Sequence, residues 1–127
     1  MINLTTIWAR QKEFQKNFYN PDAVTDDEKI KLTKEYILCM HRELGEVLNV
    51  IPWKLHRANQ EEYDVEHLQE ELIDCFKYLL NVCIVHGMTP ESFNALFFTK
   101  SAIVEKRFET EIKDKPKQLQ FNFNKNE

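Results

Sequence analysis

The sequence predicts an all-α protein arranged as a bundle of four to five helices. The chain has 127 residues with only two Gly and four Pro, and 43% of its residues are hydrophobic against 30% charged. That balance is typical of soluble helical proteins. Apolar residues also recur at three- and four-residue steps in four segments. One domain is expected at this length, so we assign residues 1–112 to a helical domain and residues 113–127 to a C-terminal tail.

Periodicity and capping signals predict the first two helices. Residues 3 to about 18 form the first, with Asn3 or Thr5 as N-cap. Its residues at helical spacing are Leu4, Ile7, Trp8, Gln11, Phe14 and Phe18. The second helix is expected from about Asp26 to Val50, because Thr25 and Glu28 have the spacing of a capping box. Pro52 ends this helix.

Two further helices are expected before the tail. The third runs from about Val65 to Val85, and Gly87 follows as a C-terminal signal. Thr89 and Pro90 then restart a fourth helix, which extends to about Ile112. The tail contains a proline and lacks a helical apolar stripe, although three of its apolar residues alternate and could dock on a neighbour: Leu119, Phe121 and Phe123.

Charge and cysteine content exclude several classes of protein. A net charge of -4 and a pI near 5.6 provide no global basic field, which disfavours binding to nucleic acid or to an anionic membrane. The three cysteines are odd in number and lie in apolar helical patterns, so we expect reduced core thiols. No apolar run reaches the length of a membrane span. A cytoplasmic protein is the expectation.

Two pairs of acidic residues suggest a metal site. Glu43 and Glu46 on the second helix, and Glu71 and Asp74 on the third, each have the i, i+3 spacing that places two carboxylates on one helical face. Both faces are otherwise apolar, so the four carboxylates should meet and require a cation. Oxygen ligands without a Cys or His cluster select Mg²⁺, for which Mn²⁺ may substitute. Either motif alone is more often a solvated surface feature.

The motifs ELGE, WK, EELID and KSAIVEKR resemble those of the all-α nucleoside triphosphate pyrophosphohydrolases, the superfamily of MazG and the dimeric dUTPases. The resemblance covers roughly residues 4–110, and PWK and FKYLLN are closer to the dUTPase branch. It implies a MazG-like, oligomeric bundle that cleaves a nucleoside triphosphate between its α- and β-phosphates. It also implies Mg²⁺ bound by Glu43, Glu46, Glu71 and Asp74, with Glu43 or Glu46 as general base.

The resemblance implies further roles by motif position. Lys54, Lys100 and Arg107 would hold phosphates, although the last two could equally lie on an ordinary solvated helix face. The nucleoside would be bound by Asn81 at the sugar, by Trp53 stacking on the base, and by Gln11 reading the base. For Trp53 the alternative is a role in closing the core, and for Gln11 it is a surface position.

Two functions from different classes therefore remain open. The first is a Mg²⁺-dependent hydrolase, with dUTP as the first candidate substrate and dGTP or dATP next. The second is a non-catalytic oligomeric adaptor whose acids pair with Arg42, Lys54 and Lys77, which would show no metal-dependent stabilisation. A homodimer or homotetramer is expected, because one small core does not easily cover four aromatic side chains: Trp8, Phe93, Phe97 and Phe98.

Overall fold

The computed structural model describes residues 3–54, 56 and 62–114, with side chains as far as residue 112. It contains four helices: α1 (Leu4–Gln15), α2 (Asp26–Val50), α3 (Val65–Val85) and α4 (Pro90–Asp114). The described ranges contain no β-strand, so the predicted all-α class is confirmed. The chain divides into two compact units between Pro90 and Glu91, the first holding α1, α2 and α3 and the second holding α4. The expected end of the helical domain at residue 112 stays a prediction.

Local capping sets the helix ends. Asn3 Oδ1 accepts from the Thr6 backbone N–H at the start of α1, and Thr25 and Glu28 form both hydrogen bonds of the predicted capping box at the start of α2. Gly87 follows α3 with a φ of 72°, a conformation that favours glycine. The predicted bounds of α2 and α3 are confirmed. Helix α1 ends three residues earlier than expected, because residues 16–18 form i→i−3 turn bonds instead of continuing the helix.

Helices α2 and α3 run antiparallel and form the main helix–helix contact of the first unit. Thr33 near the start of α2 bonds His86 after the end of α3 at 2.7 Å. Further along α2, Cys39 lies beside Tyr78. The apolar stripes predicted on these two helices thus face each other. Helix α1 packs against α3, and side-chain hydrogen bonds join it to both neighbours.

The core of the first unit is small and lies where α1 meets the second half of α3. Its buried apolar side chains are Trp8, Leu80, Ile84 and Val85. Trp8 is only 4% exposed, so the expectation that this ring needs a second subunit to cover it is wrong. The three cysteines are free thiols, as predicted, although they are half-buried and none of them belongs to the buried core.

Helix α4 presents many apolar side chains to solvent. More than half of each of these side chains' surface is exposed: Leu96, Phe97, Phe98, Val104 and Phe108. Phe97 contacts Phe98 edge to face, with ring centroids 5.7 Å apart. Across the described residues no single helix is long and apolar enough to cross a membrane, although α3 and α4 taken together pass that test by length and composition. The alternating apolar residues of the predicted tail lie outside the described residues.

Candidate active site

Three carboxylates from α2 and α3 converge in the first unit. Glu43, Glu71 and Asp74 each offer an oxygen, and these oxygens lie within 4.8 Å of one another. We call these three residues the acidic cluster. The antiparallel pairing of α2 and α3 brings them together, because Glu43 on α2 stands opposite the i, i+3 pair on α3. Glu46, which shares the predicted stripe, is exposed and lies outside this group of three.

The surroundings of Glu43 disfavour its ionised form. Burial raises the pKa of Glu43, and the negative charges of Asp74 and Glu71 raise it further, while Arg42 acts in the opposite direction. His67 lies one turn before Glu71, with its Nε2 3.1 Å from Glu71 Oε1, and so orients that carboxylate. A hard divalent cation fits this donor set, because it prefers carboxylate oxygen and would offset the crowded charge.

A cavity of about 670 Å³ extends from the acidic cluster along α2. All three helices of the first unit line it, and its lining includes Glu43 and Asp74 at one end. Further along lie Tyr36 and Asn81, each seven residues from the carboxylate on its own helix. That separation corresponds to about 10 Å along a helix axis. The cavity therefore joins the carboxylates of Glu43 and Asp74 to a second group of polar side chains about two turns away.

Amides and phenols belong to that second group, and the charged side chains of Glu28, Lys31 and Glu35 also line the cavity. Gln11 Nε2 donates a 2.7 Å hydrogen bond to Asn81 Oδ1, and we call these two residues the amide pair. Asn81 is only 4% exposed. Gln15 lies one turn after Gln11 on α1, and its Oε1 accepts a hydrogen bond from the Tyr36 hydroxyl. Gln15 is 2% exposed and also lines the cavity. Buried amides are costly unless hydrogen-bonded, which explains why each has a polar partner.

Two tyrosines complete this second group. Burial raises the pKa of Tyr36 to about 12, with a smaller contribution from Tyr19. The Tyr19 hydroxyl is buried and has no hydrogen-bond partner among the described residues, and burial raises the pKa of that phenol as well. Both tyrosines line the cavity. Both phenols are therefore protonated at neutral pH, and Tyr19 keeps an unused donor.

A comparison with protein families identifies the chain. A family model described as dUTPase, dUTPase_2, matches residues 3–127. The chain belongs to this dUTPase family. Membership indicates hydrolysis of a nucleoside triphosphate, binding of a nucleotide and use of a divalent metal, and the acidic cluster offers suitable ligands for that metal. Comparisons with curated proteins and with solved structures found no match.

The dUTPase-family chain brings together five of the residues singled out in its sequence. Three form the acidic cluster and two form the amide pair. Trp53 and Lys54 do not line the cavity; Trp53 is half exposed, and the Lys54 ammonium lies 5.9 Å from its ring centroid. Lys100 and Arg107 are exposed on α4 in the second unit. Lys77, three residues after Asp74, does line the cavity.

Sequence reasoning missed several polar residues of this dUTPase-family cavity, among them Gln15, Tyr19 and Lys31. A signal for Gln15 was present, since it follows Trp8 and Gln11 at helical steps and so shares their face of α1. Tyr19 lies in the turn after α1, where helical periodicity gives no information. Lys31 lies near the start of α2 among exposed residues, and nothing in its spacing sets it apart from an ordinary surface lysine.

Proposed function

We propose that this protein is a Mg²⁺-dependent deoxynucleoside triphosphate pyrophosphohydrolase that cleaves between the α- and β-phosphates, with dUTP as first substrate and dGTP as second. The products are the nucleoside monophosphate and pyrophosphate. One observation supports this proposal above the others: a single cavity has carboxylates at one end and base-complementary amides about 10 Å away. That separation suits a ligand with phosphates at one end and a base at the other.

The acidic cluster would hold the metal, with Glu46 beside it. Mg²⁺, when bound, offsets phosphate charge and lowers the pKa of a coordinated water. Glu43 or Glu46 serves as general base, because a carboxylate that is not fully engaged can take the proton of the attacking water. The water oxygen bonds to the α-phosphorus, the bond from that phosphorus to the bridging oxygen breaks, and pyrophosphate leaves. His67 keeps Glu71 oriented during this step.

Cationic side chains would stabilise the pyrophosphate leaving group. Lys54, Lys100 and Arg107 remain our proposals for this role from motif position. Lys77 joins them, because it lines the cavity next to the acidic cluster. The adaptor alternative expects Arg42, Lys54 and Lys77 to be paired with the acids instead. Among the described residues no ion pair joins a lysine or arginine to the acidic cluster, which favours the hydrolase.

The free donor and acceptor atoms of the amide pair are complementary to a particular class of base. Because Gln11 Nε2 donates to Asn81 Oδ1, Gln11 Oε1 remains an acceptor and Asn81 Nδ2 remains a donor. An adjacent acceptor and donor complement the N3–H and O4 of uracil, or the N1–H and O6 of guanine. We therefore move Asn81 from the sugar to the base edge, and keep Trp53 as a stacking residue above the base.

A homodimer or homotetramer is the proposed assembly. The apolar residues exposed on α4 include Phe97, Phe98 and Phe108, and α2 exposes further large apolar side chains such as Ile30 and Leu38. A single chain that leaves this much apolar surface in water is suited to self-association.

The test is pyrophosphate release from dUTP, dGTP, dATP, dCTP, dTTP and the ribonucleotides, each with Mg²⁺, with Mn²⁺ and with EDTA. Metal-dependent release concentrated on dUTP, or on dUTP and dGTP, is the expected result. A folded sample that releases no pyrophosphate from any nucleotide would contradict the proposal and favour the adaptor.

A further inference from the structure

We propose that His67 is a nitrogen ligand at the edge of the acidic cluster, where Zn²⁺ binds through His67 and Glu71 and competes with Mg²⁺. The inference rests on the proposed function in one respect, since it takes Glu71 as part of the magnesium site. It goes beyond that function, because it adds a ligand that lies outside the motifs ELGE and EELID and a metal ion of different chemistry.

Helix α3 places the two side chains together. His67 and Glu71 are four residues apart, so they lie on the same face of the helix, one turn from each other. The backbone N–H of His67 donates to Asp64 Oδ1 at the N-cap, which stabilises the first turn of the helix. Two ligands at i, i+4 on one helix face are also the spacing of the histidines in the zinc motif H-E-x-x-H. Local structure alone therefore brings a nitrogen and an oxygen ligand side by side.

The separation of the two ligand atoms suits a zinc ion. His67 Nε2 lies 3.1 Å from Glu71 Oε1. Tetrahedral zinc, with bonds of about 2.0–2.1 Å to nitrogen and about 2.0–2.2 Å to oxygen, places two such ligand atoms about 3.3–3.5 Å apart. The two side chains need to separate by only a few tenths of an ångström. Their contact is otherwise a hydrogen bond, and its proton moves to Nδ1 or to solvent when a zinc ion takes its place.

Exposure allows an ion to reach this pair from solvent. The side chain of His67 is 53% exposed, whereas that of Glu71 is 17% exposed. Glu71 also connects the imidazole to the rest of the acidic cluster, since the ligand oxygens of Glu43 and Asp74 lie within 4.8 Å of its own. Those carboxylates and water supply the remaining ligands of a four-coordinate zinc ion.

The donor atoms distinguish two kinds of metal ion. Mg²⁺ prefers oxygen ligands in octahedral geometry and keeps several waters, so the imidazole of His67 adds nothing to its binding. Imidazole is a good ligand for Zn²⁺, however, and zinc also accepts carboxylate oxygen. Glu71 belongs to both sets of ligands. The two ions therefore compete for it, and we expect Zn²⁺ to displace Mg²⁺ from the acidic cluster.

The experiment titrates Zn²⁺ and, separately, Mg²⁺ into nucleotide-free protein by calorimetry. Four proteins are compared: wild type, His67→Gln, Glu71→Gln and the control His41→Gln. Glutamine at position 67 still donates a hydrogen bond to Glu71 but removes the imidazole nitrogen. His67→Gln should weaken Zn²⁺ binding at least about tenfold, since even residues that only orient metal ligands contribute that much, and should change Mg²⁺ binding little. Glu71→Gln should weaken both. His41 is exposed on α2, so its variant should match wild type.

Competition separates this site from zinc bound elsewhere on the chain, which has four histidines and three cysteines. The Zn²⁺ titration is repeated in the presence of saturating Mg²⁺. Zinc affinity at His67 and Glu71 should fall, because both ions need Glu71. Zinc bound at another site should not respond to Mg²⁺, and a wild-type titration that Mg²⁺ does not change would overturn the inference.

Two further results would overturn it. One is a His67→Gln protein that binds Zn²⁺ as tightly as wild type. The other is an equal loss of Zn²⁺ and Mg²⁺ binding in that variant, which would mean that His67 only positions Glu71. Pyrophosphate release judges the reaction separately: Zn²⁺ binding that depends on His67, in a protein that hydrolyses nothing, would refute the hydrolase and leave the zinc site standing. Mg²⁺-dependent release with unchanged zinc affinity in His67→Gln would refute only the zinc site.

Discussion

Gln11 on α1 and Asn81 on α3 are hydrogen-bonded to each other at 2.7 Å across seventy residues of sequence. The bond uses one N–H of Gln11 and one lone pair of Asn81, and it leaves Gln11 Oε1 and Asn81 Nδ2 for other partners. It also ties α1 to the helix that supplies Glu71 and Asp74. The position of the base-reading amides relative to the carboxylates therefore depends on how α1 packs on α3.

Replacing Asn81 should weaken nucleotide binding while leaving Mg²⁺ binding unchanged. Asn81→Leu removes a donor from the proposed base site and leaves the Gln11 amide without its partner, which costs about 1–3 kcal/mol of stability. We expect dUMP affinity to fall at least about tenfold, while protection by Mg²⁺ against thermal unfolding persists. Calorimetric titration and thermal unfolding measure the two effects. Asn49→Leu, at an exposed position on α2, is the control and should change neither.

Replacing Glu71 tests the acidic cluster. Glu71→Gln should lower Mg²⁺-dependent turnover by about a hundredfold or more, judged from the effects of altering metal-site residues. Unfolding should change little, because removing one of three crowded charges relieves repulsion. The matched variant Glu70→Gln changes an exposed neighbour and should retain activity. Global unfolding of Glu71→Gln with a normal Glu70→Gln protein would instead indicate a structural role.

The raised pKa of Glu43 predicts a pH dependence in metal-free protein. A carboxyl whose pKa is higher in the folded state contributes stability below its unfolded value, here 4.5, and loses that contribution as pH rises through the folded value. Glu43→Gln should remove this loss, so in EDTA the variant should unfold at a higher temperature than wild type at neutral pH.

Thermal unfolding in EDTA between pH 4.5 and neutrality provides the measurement for Glu43. The control is Glu46→Gln, at an exposed position outside the acidic cluster, which should follow the wild-type curve more closely. Mg²⁺ should raise the wild-type unfolding temperature and have a smaller effect on Glu43→Gln. Equal responses of the two variants would show that Glu43 is not strained by its neighbours.

Tyr36 should titrate far above an exposed tyrosine. Its pKa is raised to about 12 from 10.0, so the folded state holds the proton more tightly and its contribution to stability is complete below pH 10. That contribution is lost as pH rises from 10 to about 12. Tyr36→Phe should reduce the loss of stability at alkaline pH. When tyrosinate absorbance is followed as pH rises, the variant should lack the phenol that ionises at the highest pH.

The buried hydroxyl of Tyr19 predicts a stabilising substitution. It has no partner among the described residues, and a buried polar group without a hydrogen bond costs about 1–3 kcal/mol. Tyr19→Phe should therefore raise the free energy of unfolding by roughly 1 kcal/mol in nucleotide-free protein, measured by urea denaturation. The exposed Tyr63→Phe variant should differ little from wild type. A destabilised Tyr19→Phe protein would mean that the hydroxyl has a partner after all.

Much of the fold follows from short-range signals. The capping box at Thr25, the N-cap Asp64 and the positive φ at Gly87 are decided by residues within one turn. The predicted bounds of α2 and α3 are confirmed for that reason. The sequence could also predict that Glu43 meets the two acids of α3, because the i, i+3 spacing and the apolar stripes specify which helix faces meet.

The sequence by itself determined the helices, the faces they bury and the acidic character of one site. Only the tertiary structure decided which of four acids converge, that Gln15 and Tyr36 pair beside the amides, and that Tyr19 reaches the cavity from a turn. The physical reason is the distance along the sequence over which each kind of interaction acts. Caps and periodicity act within a few residues, whereas the rotation of α1 on α3 and the register of α2 against α3 emerge from packing of the whole unit.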